Sequence, residues 1–215
     1  MVSALARSRS SAAPALTGLA LLLASCVARP PTPPPPSPDE AAQCLATLTA
    51  DGIAFEPVAI PVAANGCGIE NGVRVLRTGI AWNQPGVMSC ALAARLAAFE
   101  REVVQPAALR YFGQPVAELQ HFGAFSCRRE ASSHDRLSQH AKGNAIDIAG
   151  FTLADGTRGS VDDAWRQAGR EGGFLREVAR RACSYFSVVL TPASNARHRN
   201  HFHLDIGPYR ACEAG

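Results

Sequence analysis

Apolar side chains recur every three to four positions in three stretches of the chain, and this spacing predicts amphipathic helices. The strongest stretch is the Ala- and Leu-rich segment 88–104, and Pro106 behind it either breaks the helix or starts a second short one. The other two stretches are 39–49, whose first turn is acidic, and 174–183.

Shorter apolar stretches bounded by turn residues predict strands. They cover residues 57–62, 72–76, 117–127, 145–153, 185–190 and 201–206. The stretch 145–153 is followed by Ala154-Asp155-Gly156, a sequence typical of a hairpin turn. Strands in sequential hairpins, with helices packed on one face, predict an α+β domain with a small antiparallel-centred sheet and flanking helices.

Length and composition fit one globular domain behind an N-terminal leader. The chain has 215 residues, of which 47% are hydrophobic, and this is enough for a sizeable core. The formal net charge is only +3 and the arginines are scattered, so nucleic-acid binding is not expected. The sequence has no Walker or Rossmann glycine pattern, and we expect a monomer.

The N-terminus has the pattern of a targeting segment. Arg7 and Arg9 precede an apolar run at 16–23 that is too short to span a membrane stably. The run ends in Leu23-Ala24-Ser25-Cys26, which resembles a bacterial lipobox, so residues 1–25 are expected to be a signal peptide and Cys26 to be lipidated. An ordinary secretory signal with an incidental cysteine is the alternative.

A proline-rich segment follows the lipobox. Residues 26–38 are expected to form a semi-rigid polyproline stalk that holds a domain spanning 39–215 off the membrane. Several acyl chains on Cys26 would anchor the protein stably. Val27, rather than an acidic residue, follows Cys26, and resemblance to Gram-negative lipoproteins then implies the periplasmic envelope and sorting to the outer membrane.

Six cysteines remain after Cys26, and an even number in an exported chain predicts disulfides. They are Cys44, Cys67, Cys90, Cys127, Cys183 and Cys212. None forms a C-x2-C zinc knuckle, and six cysteines allow about 15 pairings, between which the sequence does not choose. A cysteine nucleophile is the functional alternative.

Two separated motifs hold four of the six histidines of the chain. The first, at 138–147, has the pattern S-x-H-x-x-G-x-A-x-D, and the second, at 198–203, has the pattern H-x-x-H-x-H. Together they offer His, Asp and His as zinc ligands, and catalytic zinc sites use three ligands of this kind and leave a fourth position for water. A lone histidine is more often a surface or core residue, but the whole pattern is far more specific.

Local structure supports the two motifs. Gly143 and Asn144 tolerate the backbone angles of a tight turn between the first two ligands. Side chains alternate along a strand, so His201 and His203 project from one face, where one can bind metal and the other can face the same cavity.

The first motif resembles the signature of the D-Ala-D-Ala carboxypeptidases, lysostaphin-type endopeptidases and hedgehog-like zinc domains. Within this group, the chain is most similar to the bacterial extensin-like C-terminal domain family. The supporting segments are 90–93, 105–108, 125–128, 137–140, 143–147, 174–176 and 201–205, which span most of the chain from Cys44 to Cys212.

The resemblance implies that His140, Asp147 and His203 bind Zn²⁺ and that His201 lines the site and handles protons. The carboxypeptidases place Glu or Asp three residues before the last zinc histidine, where this chain has Asn200. Spacing of the histidines is closer to that of the penicillin-insensitive murein endopeptidases, which favours a histidine base.

Other residues of the two motifs are candidates for supporting roles. His198 is the second candidate base, with a surface or outer position as the alternative. Asp205 could fix the tautomer of a histidine, or it is a surface carboxylate at a strand end. Arg128, or its neighbour Arg129, could bind a substrate carboxylate or the developing oxyanion, with a surface arginine as the alternative.

Three further residues have less support from the sequence. Ser138 either hydrogen-bonds to substrate or caps the turn. His121 and His134 have no motif support and are expected to be incidental.

Two functions remain open at this stage. The first is an envelope-anchored zinc metallopeptidase, of murein endopeptidase or D,D-carboxypeptidase type, that hydrolyses D-amino-acid amide bonds in peptidoglycan stem peptides or crosslinks. The second is a non-catalytic, zinc-containing wall-binding or structural lipoprotein, because hedgehog-like domains show that the resemblance does not guarantee hydrolysis. The extra histidines beside the ligands favour hydrolysis.

Overall fold

Residues 36–131, 133 and 135–215 are described by a computed structural model. The signal peptide predicted for 1–25, the lipidation site Cys26 and the linker up to residue 35 lie outside the described residues, as does His134.

The described part of the chain forms one nine-stranded sheet. The strands are β1 (Ala54–Ile60), β2 (Ile69–Arg77), β3 (Ala81–Ser89), β4 (Val116–Gly123), β5 (Ala145–Leu153), β6 (Arg158–Ser160), β7 (Val188–Leu190), β8 (Phe202–Asp205) and β9 (Ala211–Glu213). Their order is β1-β2-β3-β4-β5-β8-β7-β9, and β6 pairs with the end of β5. Neighbours are antiparallel except in the pairs β3–β4 and β7–β9, which are parallel.

Helices connect and cover the strands. They are α1 (Pro38–Ala50), α2 (Cys90–Phe99), α3 (Gln105–Phe112), α4 (Val161–Ala164) and α5 (Arg170–Ala182). A π-helical turn at Glu100–Val104 joins α2 to α3, with helical backbone angles on both sides. The expected mixture of helices and strands is therefore confirmed.

The sheet is larger than predicted, and β3 is the main strand that was missed. Its sequence contains Asn83-Gln84-Pro85-Gly86, which interrupts any apolar alternation. The helix predicted for 88–104 therefore begins late, at Cys90, where the Ser89 side chain caps it by accepting from the backbone of Leu92. β6, β9 and α4 are three or four residues long, too short to leave a periodic pattern.

Pro106 does not break the helical segment. It lies in the first turn of α3, where a proline costs no hydrogen bond. The second of the two predicted outcomes is therefore the observed one.

The core lies between the helices and one face of the sheet. Ile146 and Ile148 on β5 and Phe202 and Leu204 on β8 are buried in the same cluster as apolar residues of α2 and α5. Side chains alternate along a strand, so the residues between them project from the opposite face. That second face carries the candidate site.

Strand β5 changes phase at a bulge. Gln120 of β4 pairs with Gly150, but the next residue, His121, pairs with Ile148, so Ala149 has no partner on β4. The extra residue lets both Ile148 and Phe151 face the core although they are three positions apart. A second irregularity follows directly on β4. His121 pairs with Ile148 and Gly123 pairs with Asp147, so Phe122 is the extra residue on β4.

One buried carboxyl group lies in the π-helical turn. Glu100 is 2% exposed, and its carboxyl group hydrogen-bonds with the Thr78 hydroxyl and accepts from Trp82 Nε1 at 3.3 Å. Burial raises the pKa of Glu100 to about 8, although both hydrogen bonds oppose that shift. Glu100 is therefore a neutral acid at pH 7.

The six cysteines of the domain form three disulfides, as predicted. The pairs are Cys44–Cys90, Cys67–Cys127 and Cys183–Cys212. The first ties α1 to the start of α2, the second ties the β1–β2 loop to the segment after β4, and the third ties the end of α5 to β9.

Candidate metal centre

A short 3₁₀ turn at Gln139–Lys142 positions His140. Ser138 begins the turn, and its hydroxyl accepts a hydrogen bond from the backbone N–H of His140 at 3.3 Å. Gly143 ends it with φ +64, and a Cβ atom at this position would lie 2.6 Å from the Ile69 side chain. The turn therefore requires glycine at residue 143, as its place in the motif predicted.

The pairing of β5 with β8 positions the other two candidate ligands. Asp147 lies directly opposite His203 in the antiparallel register, and both project from the face away from the helices. The distance between their side chains is thus set by the backbone hydrogen bonds of the sheet.

The three side chains converge on one point. His140 Nε2 lies 3.1 Å from Asp147 Oδ1 and 3.2 Å from His203 Nδ1, and His203 Nδ1 lies 3.1 Å from Asp147 Oδ1. One potential ligand atom from each residue lies within 4.8 Å of the others. The structure therefore brings His203 together with His140 and Asp147, which precede it in the sequence by 63 and 56 residues.

The outer ring nitrogens of both histidines are already engaged. His140 Nδ1 donates to the backbone oxygen of Ala124 at 2.8 Å, and His203 Nε2 donates to Asp205 Oδ2 at 3.1 Å. Asp205 is held in turn, because its Oδ1 accepts from the backbone N–H of Gly207 at 2.8 Å. These contacts direct His140 Nε2 and His203 Nδ1 towards Asp147.

The carboxylates and histidines of this cluster shift one another's pKa. Burial by itself raises the pKa of Asp147, but hydrogen bonds and charge from His140 and His203 outweigh it and hold the pKa well below its usual range. Burial lowers the pKa of His203, yet Asp147 and Asp205 together raise it to about 9. The carboxylates and His203 therefore stabilise each other's charged forms.

Two more histidines border the cluster. His201 Nε2 lies 3.6 Å from Asp147 Oδ1, and the ring centroids of His198 and His201 are 5.2 Å apart. His201 Nδ1 donates to Asn200 Oδ1 at 2.9 Å, and His198 Nδ1 donates to Asn195 Oδ1 at 3.0 Å. Each asparagine thus leaves the Nε2 atom of its histidine free to accept a proton.

Burial lowers the pKa of both bordering histidines below its ordinary value. Burial lowers the pKa of His198 to about 4, with a smaller contribution from the charges of His201 and His203. Burial also lowers the pKa of His201, although Asp147 opposes the shift.

Arg128 is the cationic residue next to the cluster. Its Nη2 lies 3.4 Å from Asp147 Oδ2, and its side chain is 54% exposed, so most of the guanidinium remains open to solvent. The neighbouring Arg129 instead forms an isolated backbone bridge with Leu137. The Cys67–Cys127 disulfide fixes the residue immediately before Arg128.

Ser138 and His121 have contacts within the fold. Ser138 is 8% exposed, and its hydroxyl caps the turn that holds His140. His121 is 1% exposed, and its Nε2 donates to the backbone oxygen of Gln84 at 2.9 Å.

Sequence reasoning missed the two asparagines that hold the bordering histidines. In the sequence, Asn200 is notable only for replacing a carboxylate, and Asn195 lies outside both motifs. Asn195 also accepts from the backbone of Arg197, as expected for an asparagine that begins a short turn. An asparagine close before a motif histidine is the signal that could have identified both.

A family model described as "Extensin-like protein C-terminus" matches residues 42–213. No curated protein and no solved structure matches this chain. Among the described residues, none of the helices is long and apolar enough to cross a membrane.

Proposed function

The chain belongs to the extensin-like protein C-terminus family, and from this premise we propose that it is a zinc metallopeptidase of the bacterial envelope. The proposed reaction is hydrolysis of an amide bond next to a D-amino acid in peptidoglycan stem peptides or their crosslinks. The resemblance to D-Ala-D-Ala peptidases and hedgehog-type zinc domains is part of the same proposal, and so is the predicted lipid anchor at Cys26.

One observation supports this proposal most strongly. His140 Nε2, Asp147 Oδ1 and His203 Nδ1 face one another, while the second nitrogen of each histidine donates to a fixed oxygen. Histidines that bind metals typically use their outer N–H in this way, which fixes the tautomer and orientation of the ring. A histidine pair with a purely structural role does not need inner ring nitrogens that converge on a carboxylate in addition to outer N–H groups that donate to fixed oxygens.

The donor set fits zinc better than harder or softer metal ions. It consists of two imidazole nitrogens and one carboxylate, whereas magnesium and calcium prefer oxygen ligands alone and copper(I) prefers sulfur. A zinc ion held by His140, Asp147 and His203 would supply Lewis acidity at the scissile carbonyl.

The remaining task is proton transfer, for which His201 is the best placed residue. Its Nε2 atom lies 3.6 Å from Asp147 Oδ1, at the edge of the ligand cluster, and burial lowers the pKa of the ring, which favours the unprotonated form. His201 would take one proton from the attacking water as its oxygen bonds to the carbonyl carbon. It would then give that proton to the amide nitrogen as the carbon–nitrogen bond breaks.

His198 and Arg128 complete the proposed machinery. His198 is neutral and adjacent to His201, so it is the alternative base. The exposed part of the Arg128 guanidinium can bind a carboxylate of the substrate or the oxyanion that develops at the carbonyl. Peptidoglycan stem peptides carry free carboxylates, so this contact fits the proposed substrate class.

Hydrolysis of purified muropeptides tests the proposal. We expect the zinc-loaded protein to release product from crosslinked or pentapeptide-containing muropeptides, and a chelator to abolish the release until zinc is restored. A matched sample of the Arg158→Ala variant, altered at an exposed arginine on β6, should behave as the wild type does. Zinc binding without any product release would favour the non-catalytic wall-binding lipoprotein instead.

A further inference from the structure

Phe122 is an exposed aromatic residue at the edge of the candidate site. Phe122 is 58% exposed. Its ring centroid lies 5.9 Å from that of His201, and the angle between the two ring planes is 73°. Phe122 belongs to β4, so this contact is on the β4 side of the His201 ring.

Backbone geometry explains why a phenylalanine is held there. His121 and Gly123 pair with consecutive residues of β5, so Phe122 is the unpaired residue of a bulge on β4. The preceding residue, His121, is 1% exposed, whereas Phe122 is directed outwards. Bulges beside functional sites commonly redirect one side chain in this way.

Exposure alone would not distinguish Phe122, because single apolar side chains are ordinary on protein surfaces. Val62, Leu76 and Leu109 are also exposed, by 46%, 40% and 53%. They lie in the β1–β2 loop, on β2 and on α3, none of which carries a residue of the candidate site. Phe122 differs from them because its ring contacts the proposed proton carrier.

We propose that Phe122 forms the wall of an apolar subsite for the residue that leaves with the amine. This inference rests on the proposed function. His201 must approach the leaving nitrogen to protonate it, and Phe122 contacts His201, so the carbon atoms attached to that nitrogen come next to the aromatic ring. In peptidoglycan peptides, these atoms are the methyl group of a terminal D-alanine or the methylene chain of a crosslinking diamino acid.

The subsite predicts a preference for an aliphatic group on the leaving residue. A peptide ending in D-alanine should be cleaved with a higher kcat/KM than the same peptide ending in glycine, by about fourfold, which is the effect of burying one methyl group. The Phe122→Ala variant should lose this preference, with a ratio close to one, while Phe122→Leu should retain it. Zinc content and Tm should be unchanged in both variants.

Leu109→Ala is the matched control, because it also removes an exposed apolar side chain but lies on α3. It should keep the wild-type preference for D-alanine. A preference that persists in Phe122→Ala would overturn the subsite while leaving the proposed reaction intact.

A direct binding measurement separates this inference from the proposed function. If the wild type hydrolyses neither peptide, calorimetric titration of the zinc-loaded protein with the two peptides decides the question. Tighter binding of the D-alanine peptide that is lost in Phe122→Ala would support the subsite in a protein without peptidase activity. Equal binding of the two peptides by the wild type would overturn the subsite as well.

Discussion

His203 donates its Nε2 proton to Asp205 at 3.1 Å, and its Nδ1 therefore faces Asp147. His203 and Asp205 have one residue between them on β8, so both side chains project from the same face of the sheet. A carboxylate behind a ligand histidine raises its basicity and fixes its orientation. The short sequence His203-Leu204-Asp205 thus contains a proposed metal ligand together with its support.

The first prediction concerns metal binding. We expect His140→Ala to lose zinc, because it removes a ligand, and Asp205→Ala to bind zinc about 10- to 100-fold more weakly, because it removes only the support of His203. Metal analysis after dialysis and competition with a chromophoric chelator would measure both effects.

The control for these variants is Asp162→Ala, which removes an exposed carboxylate from α4. It should bind zinc as tightly as the wild type. Stoichiometric zinc in His140→Ala would exclude the proposed ligand set.

The second prediction separates proton transfer from metal binding. His201→Ala should keep its zinc but lose about 10²- to 10⁴-fold in kcat, because it removes the base rather than a ligand. Asn200→Ala should have a smaller effect in the same direction, because it frees the ring that Asn200 orients. Steady-state kinetics with parallel zinc analysis measures both, and normal turnover by His201→Ala would transfer the role of base to His198.

The third prediction is a pH dependence of stability caused by Glu100. Its pKa is raised from an ordinary value of 4.5 to about 8 in the folded state, so folding takes up a proton between these values. The free energy of unfolding should therefore fall as pH rises through this window, by up to about 1.4 kcal/mol per pH unit from this group, and level off above pH 8. Glu100→Gln keeps the hydrogen-bonding groups and should remove this contribution.

Denaturant unfolding of both proteins at pH 5 to 8, with chelator present, isolates the contribution of Glu100. Subtracting the curve of unfolding free energy against pH for Glu100→Gln from that for the wild type removes the contributions of the titrating groups that both proteins share. A stability difference between the two proteins that does not change with pH would show that Glu100 is ionised in the folded protein.

The fourth prediction compares two disulfides. Removing Cys67–Cys127 with paired serine substitutions should lower both stability and zinc affinity, because this bridge fixes the segment between Ala124 and Arg128 that borders the site. Removing Cys44–Cys90 should cost a similar few kcal/mol of stability and leave zinc affinity unchanged, because it ties α1 to α2. Thermal unfolding and zinc titration of the two variants make the comparison, and equal zinc affinities would contradict it.

The fifth prediction concerns the N-terminal anchor. Cys26→Ser should leave the protein unlipidated and recovered in the soluble fraction of the envelope, because the membrane affinity is proposed to come from acyl chains on Cys26. Mass spectrometry of the N-terminal peptide and membrane fractionation test this. Tight membrane association of Cys26→Ser would place the anchor elsewhere.

The sequence was most informative where a local pattern determines the geometry. Strand β5 was predicted with its observed bounds, because its apolar run is bordered by Gly143-Asn144 and by a hairpin turn. The disulfide state followed from an even number of cysteines, but their pairing did not, because it depends on which loops the fold brings together.

Other features depend on tertiary contacts that no local pattern records. Strand β3 pairs with β2 at Ala81 and again from Gly86 to Ser89, and with β4 at Ala81 and Trp82, so its pairings lie on either side of Pro85. The roles of Asn195 and Asn200 depend on the ring orientation of the adjacent histidines. The position of Phe122 depends on a bulge that appears only when β4 and β5 are aligned.

The bulge on β5 constrains the length of the strand. The half of β5 that carries Asp147 and the half that carries Phe151 have opposite side-chain phases, and Ala149 is the extra residue that reconciles them. Deleting that one residue would force either the carboxylate into the apolar interior or the aromatic ring out of it. The chain therefore cannot be shortened at Ala149 without losing the geometry of either the site or the core.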